Sequence, residues 1–312
     1  MNSETLISIN EVYRYYGNYC AVNNVSFTVA RGEVLGFLGL NGAGKSTTMQ
    51  IISGVLTASS GLVSIAGFDI MDAPRRAKSQ LGFLPEQPPL YNDLTVDEFL
   101  DYAARLRGLN RTNIRPAINK SKQRCGLGAV GRRLIKNLSK GYQQRVGIAQ
   151  AIIHSPAVII LDEPTNGLDP VQIREIRGLI KELGQDHSVI LSTHILPEVQ
   201  AICDRVLIIH EGQLVFDQQT KKLNEDKQNN FINIAFKQAP AQEVFSTIEG
   251  IKHIEKISEQ RFRVELHAGT AAIDNLVQNS VKSGWGVFEI IPETDSLEET
   301  FMRLTSGTKE TV

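Results

Sequence analysis

The sequence predicts an α/β fold: one large domain with a largely parallel sheet, followed by a smaller α+β domain. Three observations carry this. Val34 to Leu38, Ala157 to Leu161 and Val189 to Leu191 are continuous apolar runs of strand length, as expected of strands buried on both faces. Amphipathic helical patterns stand between them, the alternation that βα units produce. Beyond about residue 222 the pattern changes to short alternating strands with two helical stretches, so the expected division is 1–222 and 223–312.

Taken in order, Ile7 to Val12 and Ala21 to Val29 alternate apolar and polar residues and read as antiparallel strands flanking the strand at Val34. Tyr13, Tyr15, Tyr16 and Tyr19 crowd a turn at Gly17. Such a face can stack on a base or serve as amphipathic cover for the turn, and the residues alone leave both readings open. Leu62 to Ile65 with Gly67 reads as a hairpin arm. Leu81 to Leu84 is a strand ending in Pro85-Glu86-Gln87-Pro88-Pro89, a stiff non-helical connector.

Thr95 followed three residues later by Glu98 is a capping box that opens a helix through about Leu106. A helical segment, about 88–153, carries Arg105, Arg107, Arg111 and Arg115, read as a solvated face. Ser139 is placed as N-cap for the helix bearing Val146, Ala149, Ile152 and Ile153. Asp169-Pro170 joins a cap to a first-turn proline and opens a helix burying Ile173, Ile176, Ile180 and Leu183. Arg205 to Val215 reads as a hairpin around Glu211-Gly212. Lys221 to Asn230, rich in charge, Asn and Gln, reads as a linker. Beyond it, strands at Phe231 to Phe236, Arg261 to Leu266 and Val287 to Ile291 surround a helix with Ile273, Leu276, Val277 and Val281. Ser296 with Glu299 caps a last helix carrying Leu297, Phe301 and Leu304. The order strand–helix–strand–strand–helix–strand–helix points to a small, ferredoxin-like α+β unit.

Composition narrows the function classes. A hydrophobic content of 42% supports real cores, and a net charge of −1 is no electrostatic footprint for nucleic acid. Cys20, Cys125 and Cys203 are widely spaced and lack metal-ligand spacing, so they read as small buried thiols. No export signal and no apolar run of membrane-spanning length is visible. Any role at a membrane therefore works through a partner.

The chemistry concentrates at Gly39-Leu40-Asn41-Gly42-Ala43-Gly44-Lys45-Ser46-Thr47, which has the phosphate-binding spacing G-x-x-x-x-G-K-[ST] between a strand and a helix. Its glycines let backbone N–H groups turn toward phosphate oxygens, and a helix starting near Gly44 aims its positive end at the same charge. Lys45 reaches the β- and γ-phosphates, and the Ser46 hydroxyl can ligate Mg²⁺. Phosphoryl transfer to water also needs an oriented water and neutralised charge. Asp162, at a strand end, can hold Mg²⁺ through water. Glu163, expected to point to the opposite side, can take the proton of the attacking water, and His194, at another strand end, can hydrogen-bond the γ-phosphate.

With these residues in hand, the stretch from about Ile7 to Asp217 resembles the ATP-binding subunit of an ATP-binding cassette (ABC) transporter. That resemblance implies a P-loop NTPase cassette: a mixed sheet core, an antiparallel β subdomain and a helical subdomain. Tyr16 matches the adenine-stacking aromatic, Gly39 to Thr47 the first nucleotide motif, and Val158 to Glu163 the second, with Glu163 at the catalytic carboxylate. Leu138 to Gln144 resemble the family signature, with Lys140 and Tyr142 where Gly and Gln are usual. Asn166 to Asp169 match the loop that crosses the subunit interface, and His194 matches the switch histidine. The glutamine loop aligns Glu86 at the usual position, with Gln87 beside it, as further candidates for contact with Mg²⁺ and water. The wording is similar to the bacterial ABC-2 exporter branch, including gliding-motility-associated ATPases, as is Leu297 to Phe301 at the C-terminal end.

The resemblance implies ATP and Mg²⁺ as ligands and a head-to-tail pairing, as homodimer or with another cassette. Each ATP would lie between Lys45 of one subunit and Ser139 and Gly141 of the other, with Asp169 at the interface. It implies an integral-membrane permease docking near Pro85 to Asp93 and the helical segment. That partner would hold the chain at the cytoplasmic face of the inner membrane, without direct insertion. Two rival classes are an ATPase acting on ribosomes or DNA, whose relatives usually carry tandem cassettes or coiled-coil insertions, and a nucleotide-gated regulatory module with little hydrolysis.

Overall fold

The computed structural model describes residues 4–220, 231–245, 248–267, 271–292 and 297–305. The chain divides into two compact units, one over Met1–Thr220 together with Leu304–Val312 and one over Lys221–Arg303.

The first unit is built on a six-stranded sheet. Its strands are β3 (Val34–Leu38), β6 (Leu81–Leu84), β7 (Val158–Asp162), β8 (Ser188–Thr193), β9 (Arg205–His210) and β10 (Gln213–Gln219). They lie in the order β10-β9-β3-β8-β7-β6, parallel except for β10, which pairs antiparallel with β9 at one edge. Every residue of β3, β7 and β8 is buried, the outcome expected of continuous apolar runs covered on both faces.

β1 (Thr5–Tyr16) and β2 (Tyr19–Ala30) form a hairpin through Gly17, at φ 58°, that continues into β4 (Ser60–Ile65) and β5 (Phe68–Asp69). This four-stranded antiparallel sheet, ordered β2-β1-β4-β5, is separate from the sheet containing β3. The expectation that β1 and β2 flank β3 is thus corrected: β8 and β9 occupy both edges of β3, and the hairpin packs on that sheet, with hydrogen bonds such as Ser188 Oγ to the Ala30 carbonyl at 2.8 Å. Ile7, Val25, Phe27 and Val63 share one core with Phe37, Met49 and Ile51, with the Phe27 and Phe37 rings 5.6 Å apart.

α1 (Lys45–Ile52) follows β3, and a short helix not anticipated from the sequence, α2 (Pro74–Ser79), leads into β6. α3 (Val96–Leu106), α4 (Arg111–Arg124) and α5 (Lys140–Ile152) pack together as the helical part. The expected caps form. Thr95 Oγ1 accepts from Glu98 N–H at 3.3 Å while Glu98 Oε2 accepts from Thr95 N–H at 2.8 Å, and Ser139 Oγ accepts from Tyr142 N–H at 3.5 Å. Arg107 departs from the solvated face: it is partly buried and donates to the Lys78 carbonyl at 3.0 Å. α6 (Pro170–Leu183) is capped by Asp169 Oδ1, which accepts from Val171 and Gln172 N–H at 2.9 Å each. α7 (Leu196–Ile202) links β8 to β9. Cys125 and Cys203 are buried and Cys20 is partly buried; loss of hydration pushes the Cys125 thiol up to about 12 and shifts Cys203 the same way.

The second unit runs β11 (Phe231–Phe236), α8 (Gln242–Phe245), β12 (Ile251–Lys256), β13 (Arg261–Leu266), α9 (Ala271–Lys282) and β14 (Val287–Pro292), followed by α10 (Leu297–Thr305). The sheet order β12-β13-β11-β14, antiparallel throughout, is the split βαββαβ arrangement of a ferredoxin-like fold. Phe236, Phe245, Phe262 and Trp285 pack edge-on and tilted at centroid distances of 5.0–5.9 Å to form its core. The expected linker at Lys221 to Asn230 and the cap at Ser296 lie outside the described residues.

Candidate functional site

Parallel pairing of β3, β8, β7 and β6 sets their C-terminal ends in a row, where open α/β sheets bind ligands. In register, Leu38 faces Thr193 and Asp162 faces Ser192. The phosphate loop, His194, Asp162–Glu163 and the connector after β6 therefore emerge side by side. A cavity of about 640 Å³ lies there, lined by Tyr16, Tyr19, Ala21, Asn41, Gly42, Gly44, Lys45, Ser46, Thr47, Glu86, Glu163, Asn166 and His194.

The loop's shape depends on Gly44, which has φ 106° and comes so close to β2 that a Cβ there would sit 2.6 Å from the Ala21 carbonyl oxygen. It is also the N-cap of α1, whose first residue is Lys45. Lys45 is buried, yet its ammonium curls back: Nζ donates to the Gly39 carbonyl at 2.8 Å and the Leu40 carbonyl at 3.3 Å, and lies 3.2 Å from Glu163 Oε1. Gly39 thus contributes a backbone oxygen to Lys45 and does not line the cavity; Ala43 is likewise buried beneath the loop.

Glu163 follows the last residue of β7 and has φ 48°, a conformation uncommon for a side chain of its size. Strand alternation alone therefore does not set its direction. Its carboxylate spans two partners, Lys45 through Oε1 and His194 Nδ1 through Oε2 at 2.8 Å. Asp162 is buried behind it. Burial raises its carboxyl above the usual range, the nearby Ser192 and Ser46 hydroxyls oppose the shift, and the Glu163 and Glu86 charges add to it. Its Oδ1 is buried without a hydrogen-bond partner.

Glu86 lines the cavity and accepts from Asn166 Nδ2 at 3.0 Å, whereas Gln87 lines a neighbouring cavity of about 330 Å³ with Lys140, Gln143 and Gln144. The Tyr16 ring is half exposed at the cavity, with the Arg14 guanidinium 4.7 Å from its centroid. Ser139, Gly141 and Asp169 do not reach the cavity. They stand instead at helix starts: Ser139 and Asp169 cap α5 and α6, and Gly141 is packed so closely that a Cβ would meet the Gln172 side chain at 2.7 Å. Sequence reasoning did not single out Tyr19, Ala21 or Asn166 as lining residues. The tyrosine cluster and the Asn166-to-Asp169 loop were the available signals for two of them; Ala21 carried none.

Among the described residues no group of three or more His, Cys, Asp or Glu side chains is placed to hold a metal. A hydroxyl (Ser46) and a buried carboxylate with an unpartnered oxygen (Asp162) fit Mg²⁺, which takes few protein ligands and completes its shell with phosphate oxygens and water. The arrangement as a whole can bind a polyphosphate chain, place a carboxylate and an imidazole at its end, and stack a base on tyrosine.

Comparison with known proteins agrees. A family model described as ABC transporter matches residues 22–166. An uncharacterized ABC transporter ATP-binding protein of Bacillus subtilis (strain 168), YhcH, is 33% identical over 99% of this chain and 99% of its own. The bacitracin transport ATP-binding protein BcrA of Bacillus licheniformis is 33% identical over 97% of this chain and 98% of its own. A solved structure of an ATP-binding subunit of an ABC transporter superposes with a TM-score of 0.64 at 32% identity, covering 70% of this chain and 92% of that one. The chain belongs to the ABC transporter family as one of its ATP-binding, ATP-hydrolysing proteins.

Proposed function

We propose that the chain energises a membrane exporter by closing on ATP with a second cassette and opening on hydrolysis. The observation that carries this reading is a divided site. Lys45, Ser46, Glu163, His194 and Tyr16 converge on one cavity, while Ser139 and Gly141 stand away from it at the start of α5. A helix start offering backbone N–H groups is suited to a phosphate, and the Ser139–Gly141 end of a second cassette supplies that surface from across an interface.

In this reading Tyr16 stacks on adenine, the N–H groups of Gly39–Thr47 hold the β-phosphate, and Lys45 leaves Glu163 for the phosphate oxygens. Glu163 then takes a proton from the attacking water, and His194, oriented by Glu163 through Nδ1, hydrogen-bonds the γ-phosphate with its other nitrogen. Ser46 and Asp162 would hold Mg²⁺, which when bound would supply charge that neutralises the phosphates. The position of Glu86 in the cavity supports it over Gln87 as the connector's contact with metal and water. Asp169 holds the start of α6, which carries the interface loop.

Among the described residues no helix is long and apolar enough to cross a membrane. In this reading the membrane partner is an integral-membrane permease that docks near Pro85 to Asp93 and the helical part. ATP supply puts the cassette at the cytoplasmic face of the inner membrane. The cassette corresponds to residues 1–222 and the ferredoxin-like accessory domain to 223–312. The full-length relative named for bacitracin transport supports the exporter assignment. The test is co-purification of tagged Glu163→Gln chain from detergent-solubilised membranes of its native cell with ATP present. A multi-span membrane protein in stoichiometric amount supports the reading; recovery with ribosomes or nucleic acid instead overturns it.

A further inference from the structure

We propose that Glu198 is a positioning residue for His194, acting through Thr193 and held by Arg177; the inference rests on the reading of His194 as the γ-phosphate contact. His194 sits in a two-residue turn between β8, which ends at Thr193, and α7, which starts at Leu196. The N-cap of α7 is Ile195, whose side chain cannot cap a helix. Thr193 instead closes the turn just before the helix. Its Oγ1 accepts from Ile195 N–H at 3.1 Å and donates to Glu198 Oε2 at 3.0 Å. A hydroxyl has one proton, so giving it to the carboxylate fixes the lone pair toward the amide and clamps both sides of His194.

Glu198 is fully buried, does not line the nucleotide cavity, and lies in the first turn of α7, where the helix dipole favours its charge. Its remaining oxygen, Oε1, faces Arg177 Nη2 of α6 at 3.5 Å, but neither Oε1 nor Arg177 Nε has a hydrogen-bond partner. An ion pair so incompletely satisfied is poor stabilisation; apolar residues of similar volume generally serve a core as well or better. What the pair supplies is geometry. It ties the turn bearing His194 to the helix capped by Asp169, so that the imidazole meets Glu163 at 2.8 Å in one orientation.

The test uses the full chain, measuring ATP turnover with Mg²⁺, nucleotide affinity by calorimetry and thermal melting. Thr193→Val and Glu198→Ala are expected to lower kcat by about 10- to 100-fold with KM and affinity unchanged, the cost of a misaligned catalytic group. Glu198→Gln keeps an acceptor oxygen for Thr193 and is expected to restore kcat to within about 5-fold of wild type. Val199→Ala, which loosens the packing of α7 without touching these hydrogen bonds, should lower the melting temperature and leave kcat within about 2-fold. Wild-type kcat in folded Thr193→Val overturns the inference, as does a kcat loss in Val199→Ala equal to that in Glu198→Ala. His194→Ala separates the two levels: if it is impaired while Glu198→Ala is not, the positioning role alone fails, and if it turns over normally, the reading of His194 fails with it.

Discussion

On the proposed reading ATP must displace Glu163 from Lys45, a competition that Glu163→Gln would expose. The two charges are 3.2 Å apart, with only 5% and 6% of their side chains exposed. At an effective dielectric of about 20 their attraction is about 5 kcal/mol. Much of it offsets desolvation, and a glutamine oxygen can still accept from Lys45, so the net share lost is about 1.5–3 kcal/mol. Two consequences of opposite sign follow. Without nucleotide the variant should melt about 5 °C lower, because the buried ammonium loses the Glu163 carboxylate and keeps neutral acceptors, the Gly39 and Leu40 carbonyls and the glutamine oxygen. With ATP, phosphate no longer displaces a carboxylate and no longer faces its charge, so affinity should rise about 10- to 100-fold. Turnover should fall by roughly 10²–10⁴, because an amide cannot take the proton of the attacking water. Differential scanning calorimetry with and without ATP, titration calorimetry and a phosphate-release assay read the three quantities. A variant that melts and binds ATP like wild type would refute the competition, and one that hydrolyses ATP like wild type would remove Glu163 from its role.

Gly44→Ala should be destabilised by about 2–4 kcal/mol and lose nucleotide affinity, since a Cβ at φ 106° would sit 2.6 Å from the Ala21 carbonyl; urea denaturation and calorimetry check both. Tyr16→Ala should weaken ATP binding about 10-fold while Tyr16→Phe stays near wild type, because stacking uses the ring and not the hydroxyl; fluorescence titration with labelled nucleotide distinguishes them. Burial lowers the His154 pKa to about 4, so between pH 6.5 and 4 the unfolded chain binds the extra proton. Stability present above pH 6.5 is then lost as pH falls, by up to about 2 kcal/mol at pH 5, and His154→Gln should flatten that part of the urea-midpoint profile.

Local chemistry was legible in the sequence and long-range pairing was not. Thr95 with Glu98, Ser139, and Asp169 with Pro170 announced helix starts because caps act within three residues, and each formed. The phosphate loop was equally plain, since its spacing is its function. The β1–β2 hairpin was recognised but assigned to the wrong sheet: alternation tells which face is buried, not which strand lies alongside. The backbone of Glu163 turns to φ 48° just after β7, a change no side-chain pattern encodes. Arg107 looked like part of a solvated run because its acceptor, the Lys78 carbonyl, lies 29 residues away. The Arg177–Glu198 contact was hidden for the same reason, as it joins two helices with no fixed spacing between them.

The most direct test of ATP-driven closure is sedimentation equilibrium of purified Glu163→Gln chain, with and without saturating ATP and Mg²⁺. The chain should be a monomer without nucleotide and a dimer with it, reverting to monomer when Ser139→Glu places a carboxylate where the γ-phosphate must approach. A chain that remains monomeric at saturating ATP, or one whose dimer ignores both nucleotide and Ser139→Glu, would contradict the homodimeric form of the proposed closure, in which two copies of this chain close on ATP.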